Sequence, residues 1–243
     1  MTAATLVELD GAALAERTVA HRTRHTVARL VSLMEDTRPE AVPGKDAALA
    51  VLDAHARDTG HRCRVLGVTG TPGAGKSSLM SVVTRRILDV DGRISLAVVA
   101  VDPSSPVTGG SLLGDRTRMR RRTDSNRLFF RSQPSVTALG GLAPATYGVV
   151  RVLSTLFDCV LVETVGIGQS EVDIRYLADR VYLVIAPNGG DDVQMLKAGI
   201  IEIPDSFVLN KSDDPAAKAA YHQLRASMWL ARPFDHEAVR IFR

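Results

Sequence analysis

Two short stretches of this chain have residue types and spacings suited to gripping a nucleoside triphosphate. The first is Gly70-Thr71-Pro72-Gly73-Ala74-Gly75-Lys76-Ser77, which matches G-x-x-x-x-G-K-[ST]. It follows the apolar run Val65-Leu66-Gly67-Val68 and precedes a helical pattern, the context a phosphate cradle needs. Glycines at 73 and 75 let such a loop curl until its backbone N–H groups face inward. The N-terminus of the next helix adds the positive end of its dipole. Lys76 is placed to reach the β- and γ-phosphates, and Ser77 to offer its hydroxyl to Mg²⁺, with Ser78 beside it in the first helical turn. A structural glycine-rich turn is the alternative.

The second stretch is Asn210-Lys211-Ser212-Asp213, directly after the apolar residues Phe207-Val208-Leu209. The Asp213 carboxylate can accept hydrogen bonds from the N1–H and 2-amino groups of guanine, and adenine offers neither donor there. A site built on such paired polar groups rejects an analogue lacking them by roughly 10⁴-fold. Asn210 would buttress the loop and reach the base edge, while the Lys211 stem would lie along the base face. Alone, the tetrapeptide could be a polar turn or a helix cap. After a phosphate cradle it reads as the guanine reader of a GTP-binding protein.

Two carboxylates end apolar runs. Asp102 follows Ser95–Val101, and Glu163 follows Cys159–Val162. At strand ends beside the cradle, either could hold Mg²⁺ directly or through water. The other reading is two solvent-exposed acids. Gly166, three residues after Glu163, could give its N–H to the γ-phosphate, which would make residues 163–171 responsive to nucleotide state. Asp115 ends the glycine-rich stretch Gly109–Asp115. It could approach the attacking water or serve as an N-cap for a helix over Arg116–Arg122.

The elements that must position these groups follow from periodicity. Residues 1–60 read as an N-terminal helical segment. It would open with one amphipathic helix of about six turns through Leu14, Val27 and Leu33. Pro39, Pro43 and Gly44 would break it, before a shorter helix over Ala47–Ala56. Residues 61–243 then alternate short β-branched runs with helical ones, the pattern of a parallel sheet flanked by helices. The strands expected are Arg64–Val68, Ile94–Val101, Leu128–Phe130, Cys159–Glu163, Val181–Ile185, Phe207–Leu209 and Val239–Phe242. The helices expected are Lys76–Leu88, Arg116–Arg122, Thr146–Leu156, Ser170–Leu177, Val193–Ile200 and Ala216–Leu230. Ligands of such sheets bind beyond the carboxyl ends of the strands, where the motifs fall.

Composition sets bounds. Of 243 residues, 45% are hydrophobic and 23% charged, enough to bury a sizeable core. The net charge of +3 is too small to argue for nucleic acid. The arginine run from Arg116 to Arg122 reads as a solvated helix face, a partner-facing patch or an arginine reaching nucleotide phosphate; with no aromatics to stack on bases, nucleic-acid binding is a minor option. Cys63 and Cys159 are expected reduced and buried, and Trp229 packed. No apolar run approaches the roughly 20 residues of a membrane span, and no signal core opens the chain. A cytoplasmic protein without nucleic-acid or membrane partners is expected.

Longer segments carry a resemblance. Val101-Asp-Pro-Ser-Ser-Pro-Val-Thr-Gly-Gly-Ser-Leu-Leu-Gly-Asp-Arg-Thr-Arg-Met119 resembles the stretch after the second strand in the MeaB/ArgK/MMAA group of SIMIBI-class P-loop GTPases. So do Val162-Glu-Thr-Val-Gly-Ile-Gly-Gln-Ser-Glu171 and Ala186-Pro-Asn-Gly-Gly-Asp-Asp-Val-Gln-Met-Leu-Lys-Ala-Gly199. The resemblance implies Mg²⁺-GTP held by Lys76, Ser77, Asp102 and Glu163, with slow intrinsic hydrolysis. It also implies a chaperone that gates adenosylcobalamin loading and protection of an acyl-CoA mutase such as methylmalonyl-CoA mutase, with an adenosyltransferase as a further partner. Asp191, Gln194 and Lys197 would couple nucleotide state to the mutase. Members of the group run on past the point matched by Arg243, through a guanine-contacting Ser-Ala loop and an arm that supports a homodimer. The GTPase unit is therefore expected to be C-terminally incomplete. Two other roles stay in view: a SIMIBI-class metallochaperone, disfavoured by the lack of a Cys/His cluster, and a nucleotide sensor with little turnover.

Overall fold

The computed structural model describes residues 10–102, 126–135, 142–164, 169–187, 200–232, 234–235 and 238–243. Seven strands form one sheet: β1 Arg64–Gly70, β2 Leu96–Asp102, β3 Leu128–Pro134, β4 Cys159–Thr164, β5 Arg180–Ile185, β6 Ser206–Leu209 and β7 Arg240–Phe242. Every pairing is parallel, in the order β3-β2-β4-β1-β5-β6-β7. All seven expected strands are present. β1 and β3 run further than expected, because parallel pairing carries both to the carboxyl edge of the sheet.

The helices are α1 Gly11–Ala20, α2 Arg24–Glu35, α3 Val42–Thr59, α4 Lys76–Val90, α5 Pro144–Leu156, α6 Gln169–Leu177 and α7 Ala217–Ala231. One face of the sheet, through Ala97, Val99, Val160 and Val162, packs against α1, α2, α3, α5 and α6. The other face, through Val68, Val98, Leu161 and Val184, packs against Met80 and Leu88 of α4. A third cluster joins Leu183 and Phe207 to Leu224 and Met228 of α7. Among the described residues, no helix is long and apolar enough to cross a membrane.

The N-terminal segment departs from expectation. The single six-turn helix is two helices, because Thr23 starts a new one. Its hydroxyl accepts from the Thr26 N–H at 3.2 Å, and the Thr26 hydroxyl accepts from the Thr23 N–H at 3.2 Å. This reciprocal cap satisfies donors that would otherwise be orphaned. The break frees Arg22 to lie over the Phe157 ring at 4.6 Å and to donate to Ser95 Oγ and the Leu156 carbonyl. The second helix is longer than Ala47–Ala56. Pro43 sits in its first turn, where a missing N–H is harmless. Gly44, expected to break structure, is taken into the same helix, and α1 packs against its backbone through Gly11: a Cβ on Gly11 would lie 1.8 Å from the Gly44 carbonyl oxygen. Trp229 does not pack. It follows Met228, the buried position, by one residue, which rotates it off the buried stripe to 62% exposure. Both cysteines are free and half-buried, and burial pushes their thiols up to about 12 for Cys63 and about 11 for Cys159.

The amino edge of the sheet is closed by three aspartates, each one residue before a strand. Asp179 accepts the Val65 N–H at 2.8 Å, and its own N–H donates to the Val65 carbonyl at 2.8 Å. Asp205 does the same with Val181, both at 2.8 Å. Asp158 accepts the Ser95 N–H at 2.8 Å and the Ser95 hydroxyl at 2.6 Å. Each carboxylate stands in for a backbone carbonyl and adds a rung to the ladder. Partial burial works to raise the Asp158 carboxyl, but the Ser95 hydrogen bonds and the charges of His61 and Arg22 outweigh it and hold the group below its ordinary value. A depressed carboxylate stabilises the fold above its unfolded pKa of about 4, and that contribution fades as pH falls through the folded value. Asp158→Ala should therefore cost about 1 kcal/mol in urea denaturation at neutral pH. The gap to the parent chain should narrow at about pH 3.

Candidate nucleotide site

β1, central in the sheet, delivers the chain to Gly70, and α4 starts at Lys76. The loop between them turns on three glycines with φ of 141° at Gly70, 80° at Gly73 and 90° at Gly75. Two of these positions have no room for a side chain. A Cβ on Gly70 would lie 2.0 Å from the Val184 carbonyl oxygen of β5, and one on Gly75 2.4 Å from Asn210 Nδ2. Thr71 and Ala74 are buried, while Pro72 and Gly73 face solvent. Lys76 is 5% exposed, and its ammonium donates to the carbonyls of Gly70 at 2.6 Å and Thr71 at 2.8 Å. A cation is thus fixed inside the turn at the start of a helix whose first N–H groups have no intrahelical partner.

The two sequence motifs meet in space. Asn210, just beyond β6, donates from Nδ2 to the Ala74 carbonyl at 2.8 Å. Lys211 takes up a left-handed conformation, φ 55°, and donates from Nζ to the Gly73 carbonyl at 2.9 Å. Both polar heads thus grip the cradle backbone, a contact that the sequence reading did not specify. Ser212 and Asp213 are exposed at the outer end of this loop.

Glu163 and Ser77 also converge. Glu163 pairs in register with Val68 of β1, two residues short of Gly70. It is 3% exposed and accepts the Ser77 hydroxyl at Oε1, 2.7 Å. A carboxylate and a hydroxyl are the hard oxygen donors that suit Mg²⁺. Asp102 ends β2 one step beyond the Val101↔Thr164 rung, on the same edge of the sheet; its side chain lies outside the described residues. Ser78 lies exposed in the first turn of α4. Asp115, Gly166, Asp191, Gln194 and Lys197 lie outside the described residues, as do the helix expected over Arg116–Arg122 and residues 193–199 of that expected over Val193–Ile200.

Sequence reasoning passed over Thr69 and Thr164, whose hydroxyls meet at 2.9 Å beneath the cradle, fully enclosed. The available signal was a threonine at the end of each apolar run, just before a glycine-bearing loop. A cavity of about 420 Å³ opens beside the reader loop, between α4 and the sheet, lined by Leu79, Tyr182, Val184 and Phe242 together with Asn210 and Ser212. Most of that lining is apolar and offers little to a phosphate.

Relatives bear on the assignment. A sequence profile of the family described as Methylmalonyl Co-A mutase-associated GTPase MeaB matches residues 27–240. A Pyrococcus abyssi protein provisionally named a GTPase is 43% identical over 208 residues, which are 85% of this chain and 61% of that protein. The GTPase ArgK of Escherichia coli is 39% identical over 208 residues, 84% of this chain and 61% of its own. The chain thus spans 61% of the length of both curated relatives. The crystal structure of an LAO/AO transport system kinase superposes with a TM-score of 0.63 at 26% identity, over 100% of this chain and 70% of the other. With its cradle, its Asn-Lys-x-Asp loop and a profile match over most of its length, the chain belongs to the MeaB family of P-loop GTPases.

Proposed function

We propose that the chain binds GTP with Mg²⁺, hydrolyses it slowly, and uses that cycle to gate adenosylcobalamin loading and protection of an acyl-CoA mutase. The observation that carries the nucleotide part is the tie between the two motifs: Asn210 and Lys211 grip the Ala74 and Gly73 carbonyls. A purine on the reader and phosphates in the cradle would then be held by one connected unit.

In this reading the amides of Gly73 to Ser78 and the positive end of α4 receive phosphate oxygens. Lys76 supplies a buried cation among them. Asp213 stands at the outer end of the reader, where a carboxylate can select the guanine edge. Ser77 and Glu163, with Asp102, would hold Mg²⁺. When bound, that ion would neutralise charge on the β- and γ-phosphates. The proposal extends to Gly166 as a γ-phosphate contact and Asp115 as a carboxylate near the attacking water. Residues 1–60 would form a helical layer on the nucleotide unit of residues 61–243. The mutase part draws on the family description, with Asp191, Gln194 and Lys197 as its expected contacts and the cytoplasm as its expected setting.

Four measurements test this. Lys76→Ala should abolish guanine-nucleotide binding by calorimetry, and unchanged binding would sink the cradle assignment. Asp213→Asn should weaken GTP and favour xanthosine triphosphate, whose 2-oxo group suits an amide donor; an unaltered preference counts against the reader. Gly75→Ala should displace Asn210, cost about 1–3 kcal/mol and weaken nucleotide binding along with it. Single-turnover hydrolysis should accelerate when an adenosylcobalamin-dependent acyl-CoA mutase is added. An equal rate with and without it would remove the mutase part alone.

A further inference from the structure

We infer that Thr69 and Thr164 are a positioning pair that fixes Glu163 against the phosphate loop; this deepens the nucleotide reading above and rests on it. β1 and β4 pair from Arg64↔Cys159 to Val68↔Glu163, and their backbone ladder stops there. One residue on, β1 is at Thr69, next to the cradle residue Gly70, and β4 ends at Thr164. The last link between the diverging strands is made by side chains: the Thr164 hydroxyl donates to the Thr69 hydroxyl at 2.9 Å. Thr69 is 1% exposed and Thr164 0%, so water cannot stand in for either partner.

Alternation along β4 explains what the link does. Side chains of neighbouring strand residues point to opposite faces. Thr164 therefore anchors β4 from one face, and Glu163 reaches from the other, where it meets Ser77 in the first turn of α4. On its far side β4 keeps backbone pairing with β2 out to Val101↔Thr164. The hydroxyl bond is thus what prevents the end of β4 from drawing away from β1. Glu163, next to the anchor, is the group whose distance from Ser77 would change first.

The test uses a fluorescent, non-hydrolysable GTP analogue, bound to the whole chain in saturating Mg²⁺ and again in EDTA. The gain in affinity that Mg²⁺ confers is compared across Thr164→Val, Thr69→Val, the double variant and Thr164→Ser. Loss of one buried hydrogen bond should cut that gain about fivefold in Thr164→Val, with affinity in EDTA changed by less than about twofold. Thr164→Ser should keep the gain, and the double variant should lose no more than either single one. Thr69→Val reports the same loss should thermal unfolding show Thr164→Val poorly folded. A parental gain in both valine variants overturns the inference. So does a loss of equal size with and without Mg²⁺, or single losses that multiply in the double variant. Parent protein that binds no guanine nucleotide at all would instead sink the nucleotide reading and take this inference with it.

Discussion

The site depends on how closely bare backbone can approach bare backbone at the carboxyl end of β1. Gly70 lies against the Val184 carbonyl of β5, and Gly75 against the Asn210 amide. Both glycines have φ values that side chains rarely adopt. Because nothing intervenes, the cradle carbonyls come within reach of Asn210 and Lys211, and Lys76 can fold back onto the carbonyls of Gly70 and Thr71. Were either glycine larger, β5 or the reader would have to give way, and the two motifs would no longer form one unit.

The two edges of the sheet are finished in opposite ways. At the amino edge, Asp158, Asp179 and Asp205 extend the ladder and leave no strand N–H among their partners unsatisfied. At the carboxyl edge the ladder between β1 and β4 stops early, and side chains take over. Thr69 meets Thr164, Ser77 meets Glu163, and the reader grips the cradle. A rigid edge fixes the register, and register decides which side chains arrive together at the other end. The same logic joins the N-terminal helices to the sheet. Arg22 spans from the α1–α2 break to Ser95 and Phe157, while Glu35 at the end of α2 takes Arg131 and Gln133 of β3. Those helices share one core with six of the sheet's buried valines and alanines, so they steady the strands that carry the motifs.

By itself the sequence determined the parallel α/β sheet, the strand positions and where along the chain the cradle and reader loops fall. Doubly buried strands read as unbroken apolar runs, and a glycine-lysine-serine turn has few other uses. It misjudged what local signals cannot separate. One amphipathic period covers two helices, because a threonine cap looks like any polar residue until its partner is seen. Pro43 and Gly44 read as breakers, although both lie in the first turn of α3, where a missing N–H is harmless. Only tertiary structure decided which residues meet. The contacts of Asn210 with Ala74, Glu163 with Ser77 and Thr164 with Thr69 span 136, 86 and 95 residues of chain. Strand order and register bring them together, and neither is written in any local stretch, because each depends on which apolar faces pair across the whole chain.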